Sequence, residues 1–320
     1  MAIYTGSSKH LGGTDTVINK NTVFYGLVQK NVLVTGADGQ LGQELRHLSN
    51  KINIPFRLIY TDAPQLDITD IEALRYFVKE NSIEYIINCA AYTAVDKAEE
   101  DEIVAYRINF EGAKNLAIVS SEFDAKLIHI STDYVFDGTS KTPYKEDDTN
   151  NPLSVYGKSK LKGEQAINEY ANDWIIIRTS WMFSRYASNF VKTMLRLMTE
   201  RDELSIVGDQ RGTPTYATDL AEMIFIILDE PEWHSGIYHF SNSDQTTWYD
   251  FAIKIQEMAN LSNCRLHKVS TDEYKTAAQR PLYSVFDKSK IENKYNVVIP
   301  SWEDALQRML ETSISEILNH

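Results

Sequence analysis

From residue 31 onward the chain alternates short apolar runs with longer stretches whose apolar positions recur every three or four residues. The short runs are 31–35 (NVLVT), 57–61 (RLIYT), 84–88 (EYIIN), 126–131 (KLIHIS) and 174–178 (WIIIR). They are apolar on both faces, as strands of a sheet covered on both sides must be. Between them the periodicity predicts helices at 40–50, 70–81 and about 98–123, and over a segment that carries Tyr156 and Lys160. Strand and helix in alternation predict an α/β fold built on a doubly wound parallel sheet of the Rossmann type, with right-handed crossovers.

Past residue 180 the alternation loosens. Helices are expected at 189–200, 217–228, 248–260 and 302–318, and strands at 204–207 and 236–241. The helix at 217–228 reads as amphipathic, with Asp219 and Glu222 outward. Polar loops at 143–152 and 208–214 are long enough to carry function. The pattern divides the chain into a dinucleotide-binding domain at 30–180 and a smaller, mainly substrate-binding lobe at 181–320. Residues 1–29 mix Gly, Ser, Thr, Lys and Asn without the apolar core of a signal peptide, and read as a flexible leader or extension.

Composition narrows the function classes. A formal net charge of −13 argues against a general nucleic-acid or anionic-membrane binder, so an anionic substrate would need local donors. No apolar stretch is long enough to span a bilayer, and the cytoplasm is the expected location. Two cysteines, Cys89 and Cys264, far apart in sequence, do not make a disulfide framework. The seven histidines show no metal-ligand spacing, so no metal centre is expected, and His129 reads as a core histidine. There is no G-x-S-x-G elbow for a serine hydrolase.

Two local patterns carry chemistry. Gly36-Ala37-Asp38-Gly39-Gln40-Leu41-Gly42 follows the first strand and opens the first helix. Such a loop turns tightly and lets backbone N–H groups approach a pyrophosphate at the positive end of a helix. Gly36, Asp38, Gly39, Gln40 and Leu41 are therefore expected at a dinucleotide. Asp62, at the end of the second strand, could accept from a ribose hydroxyl and favour NAD over NADP, or simply form the turn before Ala63-Pro64. Asp67 and Ile68 are placed at the adenine. Cys89, Ala90 and Ala91 are small enough for backbone to run beside the cofactor, and Thr93 follows them.

The second pattern is Thr132 at the end of the fourth strand, followed by Tyr156 and Lys160 four residues apart on one helix face. Y-x-x-x-K alone is weak, but downstream of a nucleotide loop it points to hydride chemistry. Tyr156 would exchange a proton with a carbonyl or carbinol oxygen, and Thr132 would polarise the carbonyl. Lys160 would lower the phenol's pKa and hold the nicotinamide ribose.

Further motifs sit in register with these. They are LDITD at 66–70, CAAYTAVDKAEED at 89–101, INFEGAKNLA at 108–117, STDYVFDG at 131–138, RTSWMF at 178–183 and VGDQRGTPTYATDLA at 207–221. Together they resemble the extended short-chain dehydrogenase/reductases and, within them, the dTDP-4-dehydrorhamnose reductase family. The resemblance implies NADPH- or NADH-dependent reduction of the C4 keto group of dTDP-4-dehydro-β-L-rhamnose, with Thr132, Tyr156 and Lys160 as the catalytic triad. It places Thr93, Val95, Asp96, Thr132, Asp133 and Trp181 around the sugar. Gln210, Arg211 and Thr213 would line a nucleotide-sugar loop, and Arg211 or Arg280 would pair with the diphosphate. Tyr283 departs from the pattern, standing where many relatives carry Asn. The resemblance admits a homodimer and a bound Mg²⁺, although no ligand set here demands the ion. Related nucleotide-sugar epimerases or dehydratases share the fold and the Y-x-x-x-K pair. A regulatory subunit of methionine adenosyltransferase, without catalytic duty, is the alternative outside enzymes.

Overall fold

The computed structural model describes residues 29–318; the leader read at 1–29 lies, apart from Gln29, outside the described residues. In the first half, strands β1 (Lys30–Thr35), β2 (Phe56–Tyr60), β3 (Ile83–Asn88), β4 (Lys126–Thr132) and β5 (Trp174–Thr179) alternate with helices. The helices are α1 (Gln40–Ser49), α2 (Ile71–Glu80), α3 (Val95–Ala98), α4 (Glu102–Tyr106), α5 (Ala113–Glu122) and α6 (Val155–Tyr170). The second half contains β6 (Met182–Phe183), α7 (Phe190–Glu200), β7 (Glu203–Val207), β8 (Arg211–Gly212), β9 (Thr215–Tyr216) and α8 (Ala217–Asp229). It continues through β10 (Gly236–His239), β11 (Thr246–Thr247), α9 (Trp248–Met258), β12 (Arg265–Val269), α10 (Ser289–Tyr295) and α11 (Trp302–Leu318).

Six strands form one parallel sheet in the order β2-β1-β3-β4-β5-β10. Alternate side chains of each strand enter opposite cores. Val32 and Val34 face α1, α8 and α10 with Leu41, Leu45, Ile224 and Ile291, whereas Leu33 faces α2, α5 and α6 with Leu74, Leu116 and Ile167. A third core, with Leu195, Phe251, Ile255 and Leu306, joins α7, α9 and α11 beneath the two-stranded β7–β12 sheet. The strand order reverses between β1 and β3, and the crevice beyond their carboxyl ends is where open α/β sheets take ligands.

The helix expected at 98–123 is interrupted. Residues Arg107–Gly112 widen into a π-helical turn between α4 and α5. Asn109 in that turn donates to the Tyr92 carbonyl and to Ser159 Oγ, at 3.1 and 2.9 Å, and accepts from Tyr92 N–H. Its side chain thereby ties the β3 exit to α6, a tertiary reason for a bulge that helical periodicity does not announce.

The expectation that Asp219 and Glu222 point outward is wrong. Both are 4% exposed, because α8 packs into the sheet core beside α1 and the Arg308 side chain of α11 reaches over its first turn. Asp219 accepts two bonds from Arg308 of α11, both 2.8 Å, and one from Asn242. Glu222 lies near the same charges; burial and neighbouring Asp219 push its carboxyl up to about 7. The β12 strand and the short pairs β6–β9 and β8–β11 were not anticipated; each is too short or too exposed to leave a period.

Candidate active site

The crevice at the strand reversal is a cavity of about 700 Å³. Gly36, Gly39, Gln40, Leu41, Asp62, Asp67, Ile68, Cys89, Ala90, Ala91 and Thr93 line one part of it. Val95, Thr132, Asp133, Tyr156, Lys160 and Trp181 line the rest. Of the residues singled out in the sequence, Asp38, Asp96, Gln210, Arg211, Thr213 and Arg280 are not on its wall.

Gly36 has φ +64°, and a Cβ there would sit 2.5 Å from the Ala90 backbone nitrogen. Only glycine lets the β1 exit pass this close to the β3 exit. Gly39 then opens α1 with no side-chain cap and no acidic residue in the first turn, so the helix's free N–H groups face the cavity. This uncapped, positive end fits a dinucleotide pyrophosphate. Asp62 accepts from the backbone N–H of Asp38 at 2.9 Å and of Ala63 at 2.8 Å, which fixes its carboxylate beside the loop. Asp67 is fixed similarly by Thr69. Burial raises the Cys89 thiol to about 12, so it keeps its proton.

Thr132 is the last residue of β4 and caps the 3₁₀ turn Asp133–Val135, its Oγ1 accepting from Tyr134 N–H at 3.2 Å. Tyr156, on the first turn of α6, is 8% exposed and packs edge-on against Tyr134 at 5.5 Å. Ser154 caps that helix through Gly157 N–H. Burial pushes the Tyr156 phenol up to about 12, and a hydrogen bond with Thr132 opposes the rise. Asp133, also buried, is pushed up to about 6.

The expected effect of Lys160 on that phenol is not what this arrangement contains. Lys160 is 1% exposed, and its Nζ donates to the Ile130 carbonyl at 2.7 Å and lies 3.2 Å from His129 Nε2. The groups acting on Tyr156 are burial, Thr132 and Asp133, and desolvation of the phenolate wins. Burial also lowers the Lys160 amine to about 8, against the pull of Glu164.

At the rim, Trp181 takes a left-handed conformation, φ +47°, and stacks on Trp248 at 3.6 Å and 10°. Gly212 lies so close that a Cβ there would be 2.6 Å from the Trp181 indole. Arg280 is engaged with Asp96 through two bonds of 2.6 and 2.9 Å, not held open for a diphosphate. Gln210 is bonded to Thr271 and Thr213 to the Asp244 carbonyl. Arg211 bonds through its backbone to Leu282 and Ser284, leaving its side chain exposed. The 208–214 loop is thus threaded onto the segment around Tyr283, outside the cavity wall.

Several polar residues that support the site were given no role in it by the sequence. Asn88 and His129 sit inside the apolar strand runs, where a polar residue is itself the signal. Glu164 continues the Tyr156, Lys160 spacing by another four residues, and all three are buried. It is clamped by Arg178 of β5, with Nη2 to Oε2 at 2.7 Å, and accepts from Ser131 of β4. The loop 143–152 closes over this pair, through the Glu146 carbonyl and Asn150.

The family model described as RmlD substrate binding domain matches residues 30–315. A dTDP-4-dehydrorhamnose reductase of Aggregatibacter actinomycetemcomitans is 41% identical over 288 residues, covering 87% of this chain and 97% of that protein. One from Escherichia coli K12 is 39% identical over 291 residues, covering 88% and 97%. The crystal structure of a Bacillus anthracis dTDP-4-dehydrorhamnose reductase in complex with NADP superimposes with a TM-score of 0.84 at 42% identity, covering 89% of this chain and 99% of that one. The glycine loop, the Thr132, Tyr156 and Lys160 wall and these relationships agree: the chain belongs to the dTDP-4-dehydrorhamnose reductase family.

Proposed function

We propose that the protein reduces the C4 keto group of dTDP-4-dehydro-β-L-rhamnose, giving dTDP-L-rhamnose, with NADPH or NADH as reductant. The observation that carries this reading is the convergence of the uncapped α1 terminus and the Thr132–Tyr156–Lys160 wall on one cavity. In the division of labour, 30–180 binds the dinucleotide and 181–320 mainly the sugar nucleotide. The enzyme works in the cytoplasm, and none of its described helices is long and apolar enough to cross a membrane.

Reduced nicotinamide supplies a hydride to the carbonyl carbon when bound. The chain supplies the rest. Gly36, Gly39 and the first turn of α1 receive the pyrophosphate, and Asp62 meets the adenosine ribose. Thr132 donates its hydroxyl proton in a hydrogen bond to the substrate carbonyl oxygen, polarising it. Tyr156, fully protonated at neutral pH because its pKa is near 12, gives that oxygen its proton as the C=O bond becomes CH–OH. The resulting phenolate is a strong base, re-protonated before the next turnover. In its charged form Lys160 binds the nicotinamide ribose and offsets the phenolate charge. The flat face of Trp181, braced by Trp248, covers the apolar side of the sugar.

The test is loss of nicotinamide absorbance with enzymatically generated dTDP-4-dehydro-L-rhamnose, comparing NADH and NADPH, and identification of dTDP-L-rhamnose as product. A folded, cofactor-binding protein that oxidises neither cofactor would refute the reading.

A further inference from the structure

Behind Lys160 lies a closed chain of polar groups that the mechanism above does not use. Thr35, Asn88, His129 and Lys160 are each 1% exposed and come from β1, β3, β4 and α6. Thr35 Oγ1 donates to Asn88 Oδ1 at 2.7 Å, and the Ala90 backbone N–H donates to the same oxygen at 3.1 Å. The backbone N–H can only donate, so the Asn88 amide cannot be flipped without facing donor to donor. Its Nδ2 therefore faces His129 Nδ1, at 2.9 Å, as a donor.

This fixes the imidazole. Nδ1 must present its lone pair to Asn88, so a neutral His129 carries its proton on Nε2, which faces Lys160 Nζ at 3.2 Å. An ammonium has no lone pair to receive that proton, whereas a neutral amine does, and it can still donate to the Ile130 carbonyl. Protonating His129 itself would set two cations together without water, and burial holds its pKa well below the ordinary histidine value.

We propose that His129 is a positioning residue whose Nε2–H, oriented by Asn88, favours the uncharged form of the Lys160 amine in the cofactor-free protein. Turning to the nicotinamide ribose takes Lys160 away from that hydrogen and favours its charged form. The other groups around Lys160 act as follows. On α6, Tyr156 keeps its proton and Glu164 favours the charged amine, its own charge shared with Arg178 of β5. At the β3 exit Cys89 keeps its proton, and Asp133, after β4, acts on Tyr156. Burial lowers the Lys160 amine to about 8 against Glu164 and Cys89, and the His129 Nε2–H acts in the same direction as burial.

The inference deepens the reading of Lys160 given above, but its first test needs neither cofactor nor substrate, so the two can fail separately. In ¹⁵N-histidine-labelled, cofactor-free protein, His129 should show a protonated Nε2 and an unprotonated Nδ1 across neutral and alkaline pH. The opposite tautomer overturns the proposal. In ¹³Cε-lysine-labelled protein the Lys160 resonance, assigned by its loss in Lys160→Arg, should titrate near 8, apart from the surface lysines. A midpoint in the ordinary lysine range overturns it. His129→Phe keeps a buried ring but removes the donor, and should raise the Lys160 proton affinity about tenfold. The alkaline limb of NADH binding, read by fluorescence, should move up with it. If His129→Phe does not fold, the wild-type tautomer and titration still decide; if it folds and the Lys160 midpoint stays put, His129 has no such role.

Discussion

Replacing Glu222 by Gln should stabilise the protein, and only at neutral and alkaline pH. Glu222 is 4% exposed on α8, beside Asp219, whose charge is committed to Arg308. Its carboxyl titrates near 7 rather than at the ordinary 4.5, because burial and the Asp219 charge oppose ionisation. For an acid whose folded pKa is raised, the folded state binds more protons than the unfolded one between those two values. Stability therefore falls as pH rises from the unfolded pKa to the folded pKa, and the loss is complete above the folded one. At about 1.4 kcal/mol per tenfold change in proton affinity, the loss amounts to about 3 kcal/mol. Glutamine keeps the shape without the charge. Urea unfolding at about pH 8 should show the variant more stable by about 3 kcal/mol, and at about pH 5 by less than about 1 kcal/mol. An equal gain at both pH values, or none at about pH 8, would refute the assignment of a strained buried carboxylate.

Tyr156→Phe should lower turnover by about 10²–10⁴-fold while the NADH dissociation constant, measured by fluorescence, stays nearly unchanged; wild-type turnover would remove Tyr156 as the proton donor. Gly36→Ala places a methyl group against the Ala90 backbone at a positive φ, and should abolish dinucleotide binding in calorimetry; normal affinity would show that the loop can shift. Arg178→Leu leaves the buried Glu164 carboxylate without its guanidinium, and should cost about 3–5 kcal/mol in denaturant unfolding. A loss within experimental error would mean that Ser131 alone suffices to hold Glu164.

What was legible in the sequence was local. Five strands, the glycine loop and the Tyr156/Lys160 pair are each written within a few neighbouring residues, and the structure brings them together. What was not legible depends on what lies opposite. Asp219 and Glu222 look like a solvent face until Arg308 of α11 is brought onto Asp219. Lys160 looks aimed at Tyr156, four residues before it, but its head group turns toward His129, whose partner Asn88 comes from a third element. Gln210 and Thr213 carry the right chemistry for a sugar loop, yet Thr271 and the Asp244 carbonyl occupy their polar atoms. No periodicity in 208–214 encodes those contacts.

The sixth strand of the central sheet has a consequence for how the chain is made. β5 ends at Thr179, but the strand that pairs with its outer edge, β10, begins only at Gly236. At ordinary ribosomal speeds the intervening residues take on the order of several seconds to emerge. Throughout that interval the backbone edge of the strand Trp174–Thr179, with its apolar run Trp174–Ile177, stands open to any other extended segment nearby. Nascent chains stalled between these two strands should be the species that chaperones hold. A version ending near residue 180 should aggregate on the ribosome's release, however complete its nucleotide loop.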